Sequence, residues 1–376
     1  GVHSGGMKRN TILVLGAGPA GLSIGYELAR RNLDFLILEK GKSAGESFTH
    51  YPRNIFFGPW VNNTLPGSRV GWNWLLRRST QPAYSWYLRE YARRQGLPIE
   101  YGCQVERVER DRHGFLVTTR QGVRSCSLVV NCTGYFSTPN VPQYPGQDDS
   151  PIPTMHTCQY QTIADLQSRL RRNSGRILVV GAGLSAGEMI LDLHQHGFEV
   201  ALSHRGKLLF GPSALREALL SPVAWLAERA ALAMGLRLNS NPPMAGGKTR
   251  ALVESGEVLT YPAIEHFAGE SISFVNGLSS RFDGVVWATG YRYTLGHLGD
   301  LLPEGEVQLS EMESLAAPGL YFLGLDQQRS YRSRFLRGIR SDARRLAQLL
   351  DERLARTLPP PPVEEALFDL DLVAVP

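Results

Sequence analysis

Short apolar runs, each closed by a glycine-rich turn, set the rhythm of this 376-residue chain. Thr11 to Leu15 carries almost no polar interruption, the pattern of a strand buried on both faces of a parallel sheet. Gly16-Ala17-Gly18-Pro19-Ala20-Gly21 follows at once, then a helix-period stretch to about Arg31, then a second strand, Phe35 to Leu38, ending in Glu39. The same order returns later. Arg176 to Val180 reads as a strand, Gly181-Ala182-Gly183-Leu184-Ser185-Ala186-Gly187 as the turn, Glu188 to His196 as a helix and Glu199 to Leu202 as the next strand. Val129-Val130-Asn131-Cys132-Thr133-Gly134-Tyr135 is echoed by Val285-Val286-Trp287-Ala288-Thr289-Gly290-Tyr291, so each unit also ends in a strand that delivers a Thr-Gly turn. Between them, Trp86 to Arg94 has helical spacing. Val105 to Val108 and Phe115 to Thr119 alternate as a small antiparallel meander beside the first unit. Pro139, Pro142, Pro145, Pro151 and Pro153 mark a stiff crossing between the units.

These patterns predict an α/β fold with two Rossmann-like dinucleotide-binding domains, the second inserted into the first. The expected boundaries are 7–147 and 289–376 for the first domain and 148–288 for the second. In a strand, G-x-G-x-x-G, helix unit, Gly16 and Gly18 permit a tight turn and close approach of a pyrophosphate. Gly21 lets helix and strand pack, and the helix N-terminus offers free N–H groups. Glu39, 23 residues past Gly16, is placed to accept both hydroxyls of an adenosine ribose. In the second unit Ala186 takes the third glycine position, and the same count from Gly181 reaches His204, flanked by Ser203 and Arg205. An acid there would repel a 2′-phosphate, whereas Arg205 can pair with it and Ser203 can hydrogen-bond it. The first site therefore reads as one for FAD and the second as one for NADPH; the competing reading of Arg205 is a solvated surface arginine.

Composition narrows the classes. Forty basic against 35 acidic residues leave +5, too mild for a nucleic-acid binder, and no finger, RNP or basic-zipper pattern is present. The four cysteines form no C-x-x-C pair, which implies a reducing cytoplasm. Residues Gly1 to Gly6 resemble a cloning remnant, and no apolar run has the length of a signal or a membrane span. Ala214 to Leu236, rich in Ala and Leu but charged and broken at Ser221-Pro222, reads as buried or lid helices. His194 and His196 lack partners at metal-ligand spacing. The arginines from Arg329 to Arg345 read either as an attractor for an anion or as a solvated helical face paired with Asp342.

Taken together, the loops at Gly16 and Gly181, the Thr133-Gly134 turn running into Pro139, and the ending Pro318-Gly319-Leu320-Tyr321-Phe322-Leu323-Gly324 resemble the class B flavin-dependent monooxygenases, small bacterial type, from Met7 to about Leu350. Asp283 to Tyr291 is similar to the D-x-x-x-(L/F)-A-T-G-Y motif of the family's N-hydroxylases, with Trp287 at the Leu/Phe position. The family's F-x-G-x-x-x-H-x-x-x-(W/F/Y) linker is matched at His156 and Tyr160, while Ser150 and Ile152 replace its Phe and Gly, a departure that weighs against the Baeyer–Villiger branch. Gly45-Glu46-Ser47-Phe48 resembles the family's G-x-x-W segment beside the flavin, with Phe48 for Trp.

The resemblance implies an NADPH-dependent enzyme that forms a flavin hydroperoxide and oxygenates a small molecule, at nitrogen or sulfur in the first instance. Ketone insertion or an oxidoreductase without oxygen insertion stands as the alternative. It adds Lys40, Ser47, Phe48 and Val105 to the FAD site. Asn62 or Asn63 would be the polar group at the flavin, or else two loop asparagines. The partners implied are a small-molecule substrate and molecular oxygen, with no nucleic acid and no membrane; self-association stays open.

Overall fold

The computed structural model describes residues 9–357, apart from 54–55, 76, 212–225, 228–229, 232, 235, 237–242 and 245. The segment Ala214 to Leu236 therefore falls largely outside the described residues. Arg9–Leu15 is the central strand of a nine-stranded sheet, with Ile12, Leu13 and Val14 fully buried. It pairs in parallel with Phe35–Leu38 on one side and Gly122–Asn131 on the other. Burying such a side chain is worth about 1.5–3 kcal/mol, so this run alone anchors the sheet. Val105–Asp111, Gly114–Thr119 and Gly122–Asn131 form the antiparallel meander expected from their alternation. Leu320–Phe322, from near the end of the chain, adds in parallel to Gly122–Asn131. The long helix Leu336–Thr357 packs Ile339, Ala343, Leu346 and Leu350 into the same core as the helix Pro19–Ala29.

A second, five-stranded parallel sheet has the order Leu259–Tyr261, Glu199–Ser203, Arg176–Val180, Gly284–Trp287, Thr154–His156. All of it comes from chain lying between two strands of the first sheet, so the second unit is an insertion. It carries its own meander, Ile264–Ala268, Ser271–Phe274 and Ser279–Arg281, repeating the first unit's plan.

Two helices start earlier than their spacing suggests. Gln81–Arg94 begins ahead of Trp86 because Thr80 caps it, accepting from the Ala83 N–H, and a proline occupies its first turn. Leu184–Gln195 begins directly at Gly183, ahead of Glu188, because the glycine turn itself is the N-cap. Among the described residues no helix is long and apolar enough to cross a membrane.

Candidate active site

The two glycine loops share one backbone plan. Gly16 donates to the Leu38 carbonyl and Gly181 to that of Ser203, joining each turn to the end of the neighbouring strand. Gly16 has φ +100° and Gly181 φ +145°, conformations that disfavour any side chain. A Cβ at Gly16 would lie 2.8 Å from the Cys132 carbonyl oxygen, and one at Gly181 would lie 2.3 Å from that of Ala288. Each first glycine is thus pressed against the residue preceding its own Thr-Gly turn. Gly18 differs: a Cβ there would meet nothing within 4 Å. Both helices have glycine as N-cap, hence no side-chain cap, and no acid in the first turn. Their leading N–H groups are therefore left without a side-chain cap, and the backbone at Gly18 is open to close approach.

Glu39 is 8% exposed and held in place by two short hydrogen bonds, from the Ala17 N–H to Oε2 and the Gly41 N–H to Oε1, both 2.7 Å. A carboxylate has about four acceptor positions, so about two are left over by these bonds. Lys40 is exposed beside it. Across the molecule Arg205 is exposed just past the end of Glu199–Ser203. Ser203 departs from expectation: it is 1% exposed and its hydroxyl donates to the Pro262 carbonyl at 2.8 Å, so it serves the fold rather than a 2′-phosphate.

Where the chain crosses between the units, its two passes are laced together. Asn140 donates from its backbone to the Gly290 carbonyl (2.9 Å), and its backbone carbonyl accepts from the Thr289 hydroxyl. Arg292 donates to the Thr138 carbonyl (2.8 Å) and Thr294 to that of Gly134 (3.2 Å). The Thr133 hydroxyl donates to the Thr294 carbonyl at 3.0 Å. His156 joins the lacing as a neutral ring of defined tautomer: Nε2 donates to the Gly290 carbonyl (2.9 Å) while Nδ1 accepts the Cys158 N–H (3.1 Å). Burial holds its pKa below the usual histidine value.

Behind the Thr133-Gly134 turn, buried His297 donates from Nε2 to Asn131 Oδ1 at 2.8 Å, and the Thr133 hydroxyl shares its one proton between that oxygen (3.2 Å) and the Thr294 carbonyl. Burial depresses the His297 pKa to about 4. In the unfolded chain the ring protonates near pH 6.5, so the unfolded state binds the extra proton first. The stability this neutral ring contributes is whole above pH 6.5 and is lost as pH falls toward 4, by about 3 kcal/mol. We expect His297→Gln to flatten the decline of Tm between those pH values; an unchanged pH profile would show that the ring does not titrate with folding.

Aromatic rings fill the space between the two Thr-Gly turns. Phe136 packs edge-on against Tyr51 (5.1 Å) and Tyr291 (5.4 Å), and Tyr135 against Tyr293 (5.3 Å). Burial keeps the Tyr51 and Tyr291 phenols far above the usual range, hence neutral. Phe48 is 3% exposed and enclosed by Tyr51, Phe57, Tyr84 and Phe136, which makes it a core ring of this cluster. Ser47 is half-buried in the preceding turn, and Val105 opens the meander strand. The asparagine pair separates. Asn63 is buried and spends both amide N–H groups, on the Gly58 carbonyl (2.7 Å) and the Ser79 hydroxyl (2.9 Å). It cannot also donate to a flavin, contrary to that part of the expectation. Asn62, half-buried on the same turn, is the donor left available.

The arginine run also sorts. Arg329 pairs with Asp342 (2.9 Å) and Arg345 with Glu311 (3.0 Å), while Arg340 donates to the Val61 carbonyl (3.0 Å) and the Thr64 hydroxyl (3.1 Å), so these three hold the fold. Arg334 stands over the Tyr135 ring and donates to its hydroxyl. His194 lies near Glu257 and His196 near Asp192, and among the described residues no cluster could hold a metal ion. Cys126 and Cys132 are buried, and burial pushes the Cys132 thiol far up, opposite to what a redox thiolate needs.

Comparison with known proteins agrees with this layout. The pyridine nucleotide-disulphide oxidoreductase family model matches residues 13–232. An uncharacterized CzcO-like oxidoreductase of Geobacillus kaustophilus is 28% identical over 344 residues, 88% of this chain and 95% of that protein. The indole-3-pyruvate monooxygenase YUCCA6 of Arabidopsis thaliana is 26% identical, covering 74% of this chain and 75% of its own. The solved flavin-containing monooxygenase from Stenotrophomonas maltophilia superposes with a TM-score of 0.77 at 22% identity, over 93% of this chain and all of that one, which shows the shared fold. The family match spans more than half of the chain: the protein belongs to the pyridine nucleotide-disulphide oxidoreductase family, as an FAD-containing oxidoreductase akin to the class B flavin monooxygenases, whose cofactors are FAD and NADPH.

Proposed function

We propose that this protein is a monooxygenase that spends NADPH to oxygenate a small molecule at a nitrogen or sulfur atom. The observation that carries the reading is the opposite chemistry at the ends of two equivalent strands: a fixed carboxylate, Glu39, after the first loop and an exposed guanidinium, Arg205, after the second. A carboxylate suits a free ribose and a guanidinium suits a 2′-phosphate. The Ala17 and Gly41 N–H groups orient Glu39, and Gly18 leaves the approach open. FAD held at the Gly16 loop and Glu39 would supply the redox chemistry that links NADPH to dioxygen. The rings of Tyr51, Phe136 and Tyr291 pack together to keep water from the junction, and half-buried Asn62 is the candidate donor to the flavin. The Cys132 thiol, pushed far up by burial, argues against disulfide reduction at this turn, and Ser150 and Ile152 in the linker argue against ketone insertion. Domain limits at 7–147, 148–288 and 289–376, a cytoplasmic site of action and dioxygen as co-substrate belong to the same proposal.

The test is turnover under 18O2 with a panel of tertiary amines, thioethers and ketones, read by mass spectrometry. One labelled oxygen atom in an amine or thioether product is expected, with Asn62→Ala lowering product formed per NADPH while NADPH oxidation continues. NADPH consumption that gives only hydrogen peroxide across the panel would overturn the reading.

A further inference from the structure

The chain has six tryptophans, and among the described residues three face solvent: Trp72 is 92% exposed, Trp86 58% and Trp74 49%. Large aromatic rings are costly to leave in water, and a group of them marks a surface that meets something. These three belong to one locality. The loop bearing Trp72 and Trp74 is tied down where Val61 donates to the Leu75 carbonyl and Trp60 to that of Arg77. Trp60 in turn packs edge-on against Tyr87 (5.3 Å), the residue after Trp86, and the Tyr87 hydroxyl takes hydrogen bonds from the Leu65 N–H (2.7 Å) and shares one with Ser68 (2.6 Å). On the helix Gln81–Arg94, Trp86, Arg89 and Arg93 fall at i, i+3 and i+7 and are all exposed, so ring and charges form one stripe.

Charge is concentrated in the same place. Residues 51–98 hold seven arginines and one acid, Glu90, a net of +6 against +5 for the whole chain; Arg69, Arg77, Arg89, Arg93 and Arg94 are exposed on this loop and helix, while Arg78 turns inward to the Phe57 carbonyl. Glu90 is already bound to Arg93 and Arg94. Exposed Arg69 and Arg77 flank the tryptophan loop, and the Arg77 guanidinium lies 4.9 Å from the Trp74 ring centre. The rest of the molecule is close to neutral, so this face has a directed field of its own.

We infer that this face docks on the surface of an anionic phospholipid bilayer. Indole rings settle at the boundary between headgroups and acyl chains, and arginines beside them are drawn to lipid phosphates and other anionic headgroups. The pairing of exposed tryptophan with unneutralised arginine matches that boundary on both counts. An acidic protein would complement the charge but leave the three rings, spread over a loop and a helix, without a stated apolar counterpart. No membrane-crossing helix is needed for such docking.

The experiment is sedimentation of the full-length holoenzyme with phosphatidylcholine vesicles made with and without phosphatidylglycerol. Co-sedimentation is expected only with phosphatidylglycerol, lost in high salt, and weakened roughly tenfold or more in W72S/W74S and in R69E/R77E. Brominated phosphatidylglycerol should quench tryptophan emission of the unmodified protein, which keeps the inference testable if either variant folds poorly. Absence of binding at low salt, or binding and quenching indifferent to these residues, overturns it. So does light scattering that shows a dimer dispersed by W72S/W74S, which would assign the face to a second copy of the chain.

Discussion

Gly18→Val should yield a folded protein that has lost its FAD. The turn has room for the side chain, since a Cβ at Gly18 meets nothing within 4 Å, so the apoprotein has no reason to unfold. In the proposed FAD site the pyrophosphate comes against the backbone in that room, and a branched side chain would occupy it. We expect affinity for FAD to fall by roughly a hundredfold or more, about 2.7 kcal/mol or greater. The flavin spectrum of the purified protein reads the loss, and the far-ultraviolet melting curve reads the fold. Gly21→Ala supplies the contrast: its Cβ would sit 1.8 Å from the Gly16 carbonyl oxygen, so the loop and helix must part and the Tm itself should drop. Flavin retained in Gly18→Val would place the pyrophosphate elsewhere.

Arg205→Ala should separate the two nicotinamide cofactors. A hydrogen bond to a charged group is worth about 1.5–3 kcal/mol, so kcat/KM for NADPH should fall roughly 10- to 150-fold while that for NADH stays within about twofold. Equal losses with both would remove Arg205 from the 2′-phosphate. Ser203→Ala is the internal control. Because its hydroxyl is bound to the Pro262 carbonyl, the substitution should cost stability and leave the NADPH/NADH ratio unchanged.

What could be read from the chain was whatever is written locally. The buried strands Arg9–Leu15 and Arg176–Val180 have uninterrupted apolar runs, their glycine turns follow directly, and Glu39 lies at a fixed count from Gly16. The insertion of one unit in the other followed from the order of these repeats. Direction of side chains was not legible. Ser203 and Asn63 both sit where a ligand role is chemically reasonable, and both turn to backbone carbonyls, at Pro262 and Gly58, that no spacing rule connects to them. Nor could the lacing of the crossings be foreseen. Asn140 and Thr289 are far apart in the chain, and nothing in either segment names the other. Thr80 as a cap and the proline behind it are local signals too, and they start the helix before Trp86.

The lacing bears on how the chain finds this structure at all. To complete the first sheet, Leu320–Phe322 must return to Gly122–Asn131 across the whole inserted unit. Closing a flexible loop of that length carries an entropic cost that grows with its logarithm and slows the search. Yet the insertion enters and leaves at one spot, where Pro139 bridges Tyr291 and Asn140 meets Gly290. Once the second unit has folded and its two ends are clasped, the chain between the halves of the first sheet behaves as a short tether. Folding of the insertion would then act as a reversible staple for its host, and loosening the clasp should slow refolding of the flavin unit more than it lowers equilibrium stability.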